Sequence, residues 1–220
     1  MASGGLKELV FIFAVVLLPP FLIKTFLFRA SYIPSGSMEN TLQIRDRVFV
    51  NLLVPEPMSL KRWDIVLLKD SQGWLEISVA QSGAIEGMFI AVGLALDSST
   101  EHLNMGLIGF SCDRVIWYDS QGKISINAQP IAEPYLPSGA QKDTGQSYPR
   151  FNTVVPTGKI WVMGDNRNNS SDSRIHHDLP GKGFVPVENI VGKASVLAWP
   201  ISNWSILNNY GDTFSMTDQK

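Results

Sequence analysis

RVFVNLL at residues 47–53 and DIVLLK at residues 64–69 are short runs of β-branched and apolar residues, the composition that favours β-strands. Four comparable runs follow along the chain: RVIWY at 114–118, KISIN at 123–127, KIWVM at 159–163 and IVGKASVLAW at 190–199. Between two of these runs, DSQG at 119–122 predicts a hairpin turn. Many short strands separated by Gly- and Pro-containing segments predict an all-β sandwich or barrel.

Two segments interrupt this series of strands. Residues 72–100 contain the apolar run MFIAVGLAL at 88–96, which is too short to cross a membrane as a helix, so we expect an insertion loop with one ordered element. Residues 130–156 are rich in Pro, Gly, Ser and Gln and predict a long surface excursion. We therefore expect one β domain over residues 30–200 that includes both segments, followed by a C-terminal tail at 201–220.

The N-terminal region is a long apolar stretch. Residues 9–23 are apolar, interrupted only by a proline pair, and after Lys24 and one further polar residue the stretch continues to residue 28. A helix of about 20 apolar residues crosses a bilayer. We expect one transmembrane anchor within residues 1–29, with the Lys24 side chain reaching the interface. The Pro19-Pro20 pair would kink or break this helix near its outer end.

Two other interpretations of this stretch compete with a retained anchor. A cleaved signal peptide ends in a small-residue pattern, and FRASY at residues 28–32 lacks an Ala-x-Ala site. A buried core helix is not usually apolar on all faces. The retained anchor fits best, but charge does not orient it, because Lys7 lies on one side and Lys24 and Arg29 on the other.

Composition narrows the function classes further. The chain has 220 residues and a formal net charge of −2, so no basic excess points to nucleic acid. A single cysteine, Cys112, excludes an internal disulfide framework. The three histidines, at positions 102, 176 and 177, lack the spacing of a zinc site. We expect no metal and no cofactor.

Two polar motifs carry the functional signal. IPSGSMENTL at 33–42 directly follows the apolar stretch, although Ser-Gly-Ser alone is typical of an ordinary loop. GDNRNNSSDSR at 164–174 contains no apolar residue, so it is a polar loop rather than core. The first resembles the serine box of type I signal peptidases and the second resembles that family's Gly-Asp-Asn-Arg…Ser-x-Asp-Ser-Arg box. EPYL at 133–136, GFVP at 183–186 and VGKA at 191–194 are also similar, in the family's order.

The resemblance implies an antiparallel β catalytic domain and a Ser-Lys endopeptidase, one variant of the serine triad. Such an enzyme removes signal peptides from exported preproteins at the outer face of the cell membrane. It makes Ser37 the nucleophile and assigns Ser35, with the Ser37 backbone N–H, to the oxyanion hole. Ser170 would orient the general base.

The same resemblance assigns three charged residues of the second motif. Asp172 and Arg174 would form a supporting ion pair under the site, although such a pair can equally do no more than tie a loop down. The family pairs an arginine with the aspartate that matches Asp165.

The general base itself is missing. In the segment EHLNMGLIGFSCD at 101–113, the resemblance aligns Met105 with the family's catalytic lysine and Gly106 with the arginine that follows it. Methionine cannot accept a proton, and losing one catalytic member costs about 10⁴–10⁶ in rate. His102 is an odd number of residues from Met105 and would face the other side of a strand unless a bulge intervenes. Cys112 fits a small turn residue better than a nucleophile.

Other departures lie nearby. Asn40 stands where the family has proline, Arg45 and Trp63 stand where it usually has glycine, and Ser111-Cys112 replaces Pro-Gly. We expect relaxed constraint or local remodelling around the site, because glycine and proline suit tight backbone positions. The sequence leaves two hypotheses: a membrane-bound signal peptidase I-like endopeptidase, or an inactive homologue that binds preproteins or partner proteins. A generic membrane-tethered β module would leave both motifs unexplained.

Overall fold

The computed structural model describes residues 3–70, 73–74, 102–117, 123–136, 151–179, 181–215 and 217. The predicted DSQG turn, the apolar run at 88–96 and most of the two interrupting segments lie outside the described residues.

The N-terminal apolar stretch is a helix, α1 (Ser3–Phe26). Its span Lys7–Phe26 is long and apolar enough to cross a membrane, and none of it is buried against the rest of the protein. The helix continues through Pro19 and Pro20, so a break at this pair is wrong.

Within the described residues, twelve strands and a helical turn, α2 (Gly211–Phe214), follow α1. The strands are β1 (Phe28–Tyr32), β2 (Arg47–Asn51), β3 (Ile65–Lys69), β4 (His102–Gly109), β5 (Arg114–Ile116), β6 (Ser125–Ile126), β7 (Gln129–Pro130), β8 (Asn152–Val154), β9 (Lys159–Met163), β10 (Val185–Pro186), β11 (Ile190–Trp199) and β12 (Ser205–Ile206). The pairings between them are antiparallel, for example β1 with β2, β3 with β4 and β4 with β9. The predicted mainly β, antiparallel fold class behind one N-terminal apolar helix is confirmed.

The strands form two sheets. The larger has the order β1-β2-β11-β3-β4-β9-β10, with β12 also paired to β11, and the smaller has the order β7-β6-β5-β8. The late strand β11 is therefore inserted between two early ones, β2 and β3. Register shifts interrupt the β11 pairings, as expected where a long strand bends around a curled sheet.

Apolar side chains cover both faces of the central strands. In β3, Ile65 and Leu67 join one hydrophobic cluster, while Val66 and Leu68 join a second cluster on the opposite face. This explains why DIVLLK reads as a continuous apolar run rather than an alternating one. Met105 of β4 belongs to the second cluster and is fully buried.

The C-terminal residues pack against the β domain. β12 pairs with β11, and Phe214 is buried in the first hydrophobic cluster. The Asn209 side-chain amide donates to Asp64 at 3.3 Å, and the Tyr210 ring lies 5.5 Å from that of Tyr135. The segment that the sequence predicts as a tail is thus folded onto the domain as far as residue 217.

Candidate active site

The first polar motif forms a closed loop between β1 and β2. The Ile33 N–H donates to the Asp46 carbonyl at 2.9 Å, and the Arg45 N–H donates to the Ile33 carbonyl at 2.9 Å. Within this loop, Gly36–Met38 forms a 3-10 turn. Met38 is fully buried in the core, which holds Ser37, 6% exposed, against the domain. We call residues 33–46 the serine loop.

Hydrogen bonds join the serine loop to the second polar motif, the segment 164–174, which we call the polar loop. The Asn166 N–H donates to the Ser37 carbonyl at 3.1 Å, and the Asn166 side chain donates to the Gly36 carbonyl at 2.9 Å. The Asn40 side chain donates to the Asp165 carbonyl at 2.8 Å. Both motifs are therefore parts of one site although more than 120 residues separate them.

Gly164 allows this close approach. A Cβ at this position would lie 2.3 Å from the Ser37 carbonyl oxygen and 2.3 Å from the Ser170 hydroxyl oxygen. Neither separation is sterically permitted, so only glycine lets the two loops meet here.

A cavity of about 400 Å³ lies between the two loops and strand β4. Its lining comprises Ser35, Gly36, Ser37, Leu103, Met105, Asn168, Asn169, Ser170, Ser171 and Ile175. The structure thus brings to one cavity four of the positions that the resemblance assigns to the site: Ser35, Ser37, Met105 and Ser170. Asp165, Asp172 and Arg174 do not line the cavity but support the loops around it.

The hydroxyl groups in the cavity have few partners. The Ser37 hydroxyl donates to the Asn104 carbonyl at 3.4 Å and lies 3.2 Å from the Ser35 hydroxyl. The buried Ser170 hydroxyl has no hydrogen-bond partner within the described part of the chain. Among the lining residues, none carries a carboxylate, amine or imidazole. A neutral carbonyl or hydroxyl cannot retain the proton of Ser37, so no general base for this hydroxyl is found among the described residues that line the cavity.

Asp172 and Arg174 form an ion pair beneath the polar loop. Both side chains are fully buried, and the Arg174 guanidinium donates to the two Asp172 carboxylate oxygens at 2.8 and 2.7 Å. The Gly164 N–H donates to the same carboxylate at 3.0 Å. Burial alone would raise the pKa of Asp172, but Arg174 and these donors outweigh burial and hold the pKa below its ordinary range. The pair therefore orders Gly164, the residue that lets the two loops meet.

Asp165 is held by donors from the serine loop. Its carboxylate accepts from the Asn40 N–H at 3.2 Å and from the Thr41 hydroxyl. Burial raises the pKa of Asp165 above its ordinary range, although these two donors and the nearby Arg167 oppose the rise. The Asn40 N–H is a donor that proline could not provide.

Positive backbone φ angles occur at the three non-glycine residues that stand at glycine positions. The φ angle is 76° at Arg45, 59° at Trp63 and 69° at Cys112. Left-handed backbone of this kind costs a non-glycine residue about 1–2 kcal/mol. These three residues therefore adopt backbone conformations that glycine would adopt at lower cost.

Trp63 instead changes the packing beneath β4. A Cβ at Gly106 would lie 2.6 Å from the Trp63 ring, and this ring also stacks on Tyr135 with the ring centroids 3.4 Å apart. The indole thus occupies the space into which any side chain at position 106 would project. A substitution such as Gly106→Arg cannot be accommodated while Trp63 is present.

Two buried ion pairs were not recognised in the sequence. Arg167 pairs with Glu133, whose carboxylate also accepts from the Tyr135 hydroxyl at 3.0 Å. Arg62 pairs with Asp113 at 2.7 Å in the turn after β4. In the sequence, EPYL shows a glutamate two residues before a tyrosine, but this pattern does not identify the arginine with which the glutamate pairs.

The two alternative reactive residues lie elsewhere. His102, at the start of β4, is not among the described residues that line the cavity, whereas Leu103 and Met105 are. Cys112 is exposed in the turn between β4 and β5, with its sulfur 3.9 Å from the Thr157 hydroxyl. This turn position agrees with the interpretation of Cys112 as a turn residue.

Comparison with known proteins identifies relatives over nearly the whole chain. The family model described as "Signal peptidase, peptidase S26" matches residues 6–199. The chain is similar to signal peptidase I of Mycobacterium tuberculosis, with 29% identity over 93% of this chain and 76% of the relative. It is also similar to signal peptidase I of Bacillus amyloliquefaciens, with 32% identity over 87% of this chain and 85% of the relative.

Among solved structures, a signal peptidase I from Enterococcus faecalis V583 matches with a TM-score of 0.40 and 22% identity, over 62% of this chain and 97% of that chain. The family match at residues 6–199 spans α1, the serine loop, the strand with Met105 and the polar loop. On this basis the chain belongs to the signal peptidase family, peptidase S26.

Proposed function

We propose that the chain is a membrane-bound endopeptidase of the signal peptidase I type, with Ser37 as nucleophile and preprotein signal peptides as substrates. The observation that carries the proposal is the cavity between the serine loop and the polar loop, with the Ser37 hydroxyl in its wall. Family membership supports the reaction class, and the apolar lining residues Leu103 and Ile175 suit small apolar side chains of a bound peptide.

In this proposal the chemistry is acyl transfer. The Ser37 hydroxyl attacks the scissile carbonyl, and the Ser35 hydroxyl with the Ser37 N–H stabilises the developing oxyanion. Preorganised donors of this type are worth about 3–4 kcal/mol. Without a base the serine attacks slowly, since a hydroxyl needs a neighbour that removes its proton.

The proposed location is the cell membrane, with the β domain on the extracytoplasmic side. The support is α1, together with a group of exposed apolar side chains on and beside the sheet that follows it: Phe49, Trp199, Ile201, Trp204 and Ile206. Tryptophan favours the membrane–water interface because its ring is amphipathic. We call these five residues the apolar surface. It would bring the cavity close to substrates that emerge from the bilayer.

The second candidate function is that of an inactive homologue that binds preproteins or partner proteins in the same cavity. Met105 favours it, because a fully buried methionine stands where the resemblance expects a lysine. The orphaned Ser170 hydroxyl fits this interpretation, since it lacks the partner that an amine would be.

A cleavage assay distinguishes the two candidates. We expect the purified full chain to cleave a preprotein very slowly, and Met105→Lys to increase the rate by at least about 10²-fold, the smaller end of what a general base contributes. The new amine would enter an apolar cluster that lowers its pKa from the ordinary value of about 10.4. It would also supply a partner for the Ser170 hydroxyl.

Each enzyme is assayed with and without Ser37→Ala, and Met105→Leu serves as a control of similar volume without an amine. Brisk wild-type cleavage that needs Ser37 would exclude the inactive homologue. Binding of a preprotein without cleavage by either wild type or Met105→Lys would exclude the peptidase.

A further inference from the structure

His176 is a buried imidazole that the proposed peptidase chemistry does not use. It lies in the short 3-10 turn Ile175–Asp178 that follows the polar loop, and it is 7% exposed. Its ring stacks on Trp74 with centroids 4.2 Å apart and planes 1° from parallel. The ring is therefore held in one orientation by packing.

The hydrogen bonds of this ring fix its tautomer. The Nδ1 atom lies 2.9 Å from the Asp172 backbone carbonyl, which can only accept a hydrogen bond. Nδ1 must therefore carry the proton, and in the neutral imidazole Nε2 is left with a free lone pair. The Nε2 atom lies 3.4 Å from the Ser171 hydroxyl, so this hydroxyl donates to it.

Ser171 connects this histidine to the cavity. It is exposed and lines the same cavity as Ser37. A serine that is open to a cavity, a buried imidazole whose Nε2 accepts from it, and a third group that orients the imidazole together form the arrangement that activates a nucleophile. Separations slightly longer than an ideal hydrogen bond are usual for such pairs before a substrate binds.

We propose that Ser171 and His176 form a second nucleophile–base pair in the cavity, which carries out acyl transfer from activated esters independently of Ser37. The Ser171 oxygen attacks the ester carbonyl carbon while its proton passes to His176 Nε2. The intermediate collapses with cleavage of the bond to the leaving alcohol, which takes the proton from Nε2. Water then hydrolyses the acyl group from Ser171 by the same route, which regenerates both residues.

The test uses the full chain in detergent micelles with a fluorophosphonate probe and, in parallel, 4-nitrophenyl acetate. Mass mapping of the labelled protein should find the adduct on Ser171. Labelling should persist in Ser37→Ala, disappear in Ser171→Ala and slow by about 10²-fold or more in His176→Gln, the factor that a general base supplies. The neighbouring, half-exposed His177 provides the matched control: His177→Gln should label at the wild-type rate.

An adduct on Ser37 but none on Ser171, no adduct on any serine, or an unchanged rate in His176→Gln would overturn the proposal. Because glutamine at 176 could disturb the turn, a second measurement uses Ser171→Cys and the exposed Cys112 as an internal reference. Iodoacetamide should alkylate the cysteine at 171 at least several-fold faster than Cys112, and His177→Gln should leave this preference unchanged. Equal alkylation rates at the two cysteines would overturn the proposed Ser171–His176 pair. The peptidase proposal fails separately, through preprotein cleavage and its dependence on Ser37.

Discussion

At the residue scale, the Trp63 ring fills the place of a side chain at position 106. A Cβ at Gly106 would collide with this ring, which also stacks on Tyr135, so the glycine and the tryptophan make one packing unit. The most direct attempt to restore the family's Lys-Arg sequence, Met105→Lys with Gly106→Arg, therefore introduces a steric conflict that Met105→Lys alone avoids.

We expect Gly106→Arg to destabilise the β domain by at least about 1–3 kcal/mol, the usual cost of overpacking a core. The same change in a Trp63→Gly background should cost less, because the space is then vacant and glycine suits the positive φ angle there. Thermal unfolding of the two single variants and the double variant measures this coupling. Gly211→Ala is the control, since a Cβ there meets nothing closer than 3.7 Å. If the changes in unfolding free energy caused by the two substitutions were additive, the inference that residues 63 and 106 compete for the same space would be contradicted.

A second residue-scale prediction concerns pH. Burial raises the pKa of Asp165 in the folded protein, so folding favours its protonated form. Stability from this group is fully present below the unfolded pKa of about 3.9 and is lost as pH rises through the folded pKa. Asp165→Asn mimics the neutral carboxyl, so its melting temperature should exceed that of wild type at pH 7 and approach it near pH 4. A gap of a few degrees corresponds to about 1 kcal/mol in a domain of this size.

Asp172→Asn provides the opposite control, because the pKa of Asp172 is lowered in the folded protein. The ion pair stabilises the folded protein at pH values above the pKa of Asp172 in the unfolded chain. This stabilisation is lost as pH falls through the pKa of Asp172 in the folded protein. Asp172→Asn should therefore be less stable than wild type at pH 7 by about 3–5 kcal/mol, the cost of leaving Arg174 buried and unpaired. If both variants were more stable than wild type at pH 7, or both less stable, the opposite pKa directions of Asp165 and Asp172 would be contradicted.

Sequence motifs predicted which residues meet in the cavity, namely Ser37, Met105 and Ser170, because the family resemblance carries long-range proximity with it. They did not predict that Trp63 packs over Gly106, or that the Ser171 hydroxyl lies within hydrogen-bond distance of His176. These contacts depend on side-chain directions and on partners that the family pattern does not specify. A tryptophan at a glycine position signalled that something had changed, but only the structure locates the ring.

At the element scale, the site depends on two loops that meet through backbone atoms. The Ser37 carbonyl accepts from the Asn166 N–H, and Gly164 lies directly beneath this contact. Backbone atoms cannot rotate away as a side chain can, so a small change at Gly164 acts on the whole serine loop.

We expect Gly164→Ala to separate the two loops and to destabilise the domain by about 1–3 kcal/mol. Faster hydrogen exchange of the Asn166 amide, whose acceptor is the Ser37 carbonyl, would report the separation directly. Gly5→Ala, which meets nothing within 4 Å in α1, is the matched control. Wild-type exchange at Asn166 in Gly164→Ala would show that the loops tolerate the extra methyl group.

Element bounds were predictable where a strand is long and apolar. KIWVM and IVGKASVLAW coincide with β9 and β11, whereas the two-residue strands β7, β10 and β12 were missed. Such strands carry too few residues for a pattern. β7 and β10 also contain proline, which their positions at the ends of the sheets permit.

At the scale of the whole molecule, the tryptophans divide into two groups. Trp63, Trp74, Trp117 and Trp161 are buried, whereas Trp199 and Trp204 of the apolar surface are exposed. The two groups allow a spectroscopic test of whether this surface meets lipid.

In vesicles with brominated acyl chains, we expect strong quenching of the exposed tryptophans by the neighbouring lipid. The double variant Trp199→Phe/Trp204→Phe should lose most of the quenchable fluorescence, and Trp117→Phe/Trp161→Phe should keep it. Equal quenching in both double variants would show that the apolar surface faces water while α1 alone holds the protein at the bilayer.

The order of strands in the larger sheet has a consequence for biosynthesis. β2 and β3 are made early, but they do not pair with each other in the finished sheet, because β11 lies between them. The centre of the sheet therefore stays open until residues near the end of the chain have left the ribosome. Non-local pairing of this kind folds late. If α1 is held in the bilayer during synthesis, the rest of the chain would cross the membrane as an unfolded polypeptide and close its sheet only on arrival.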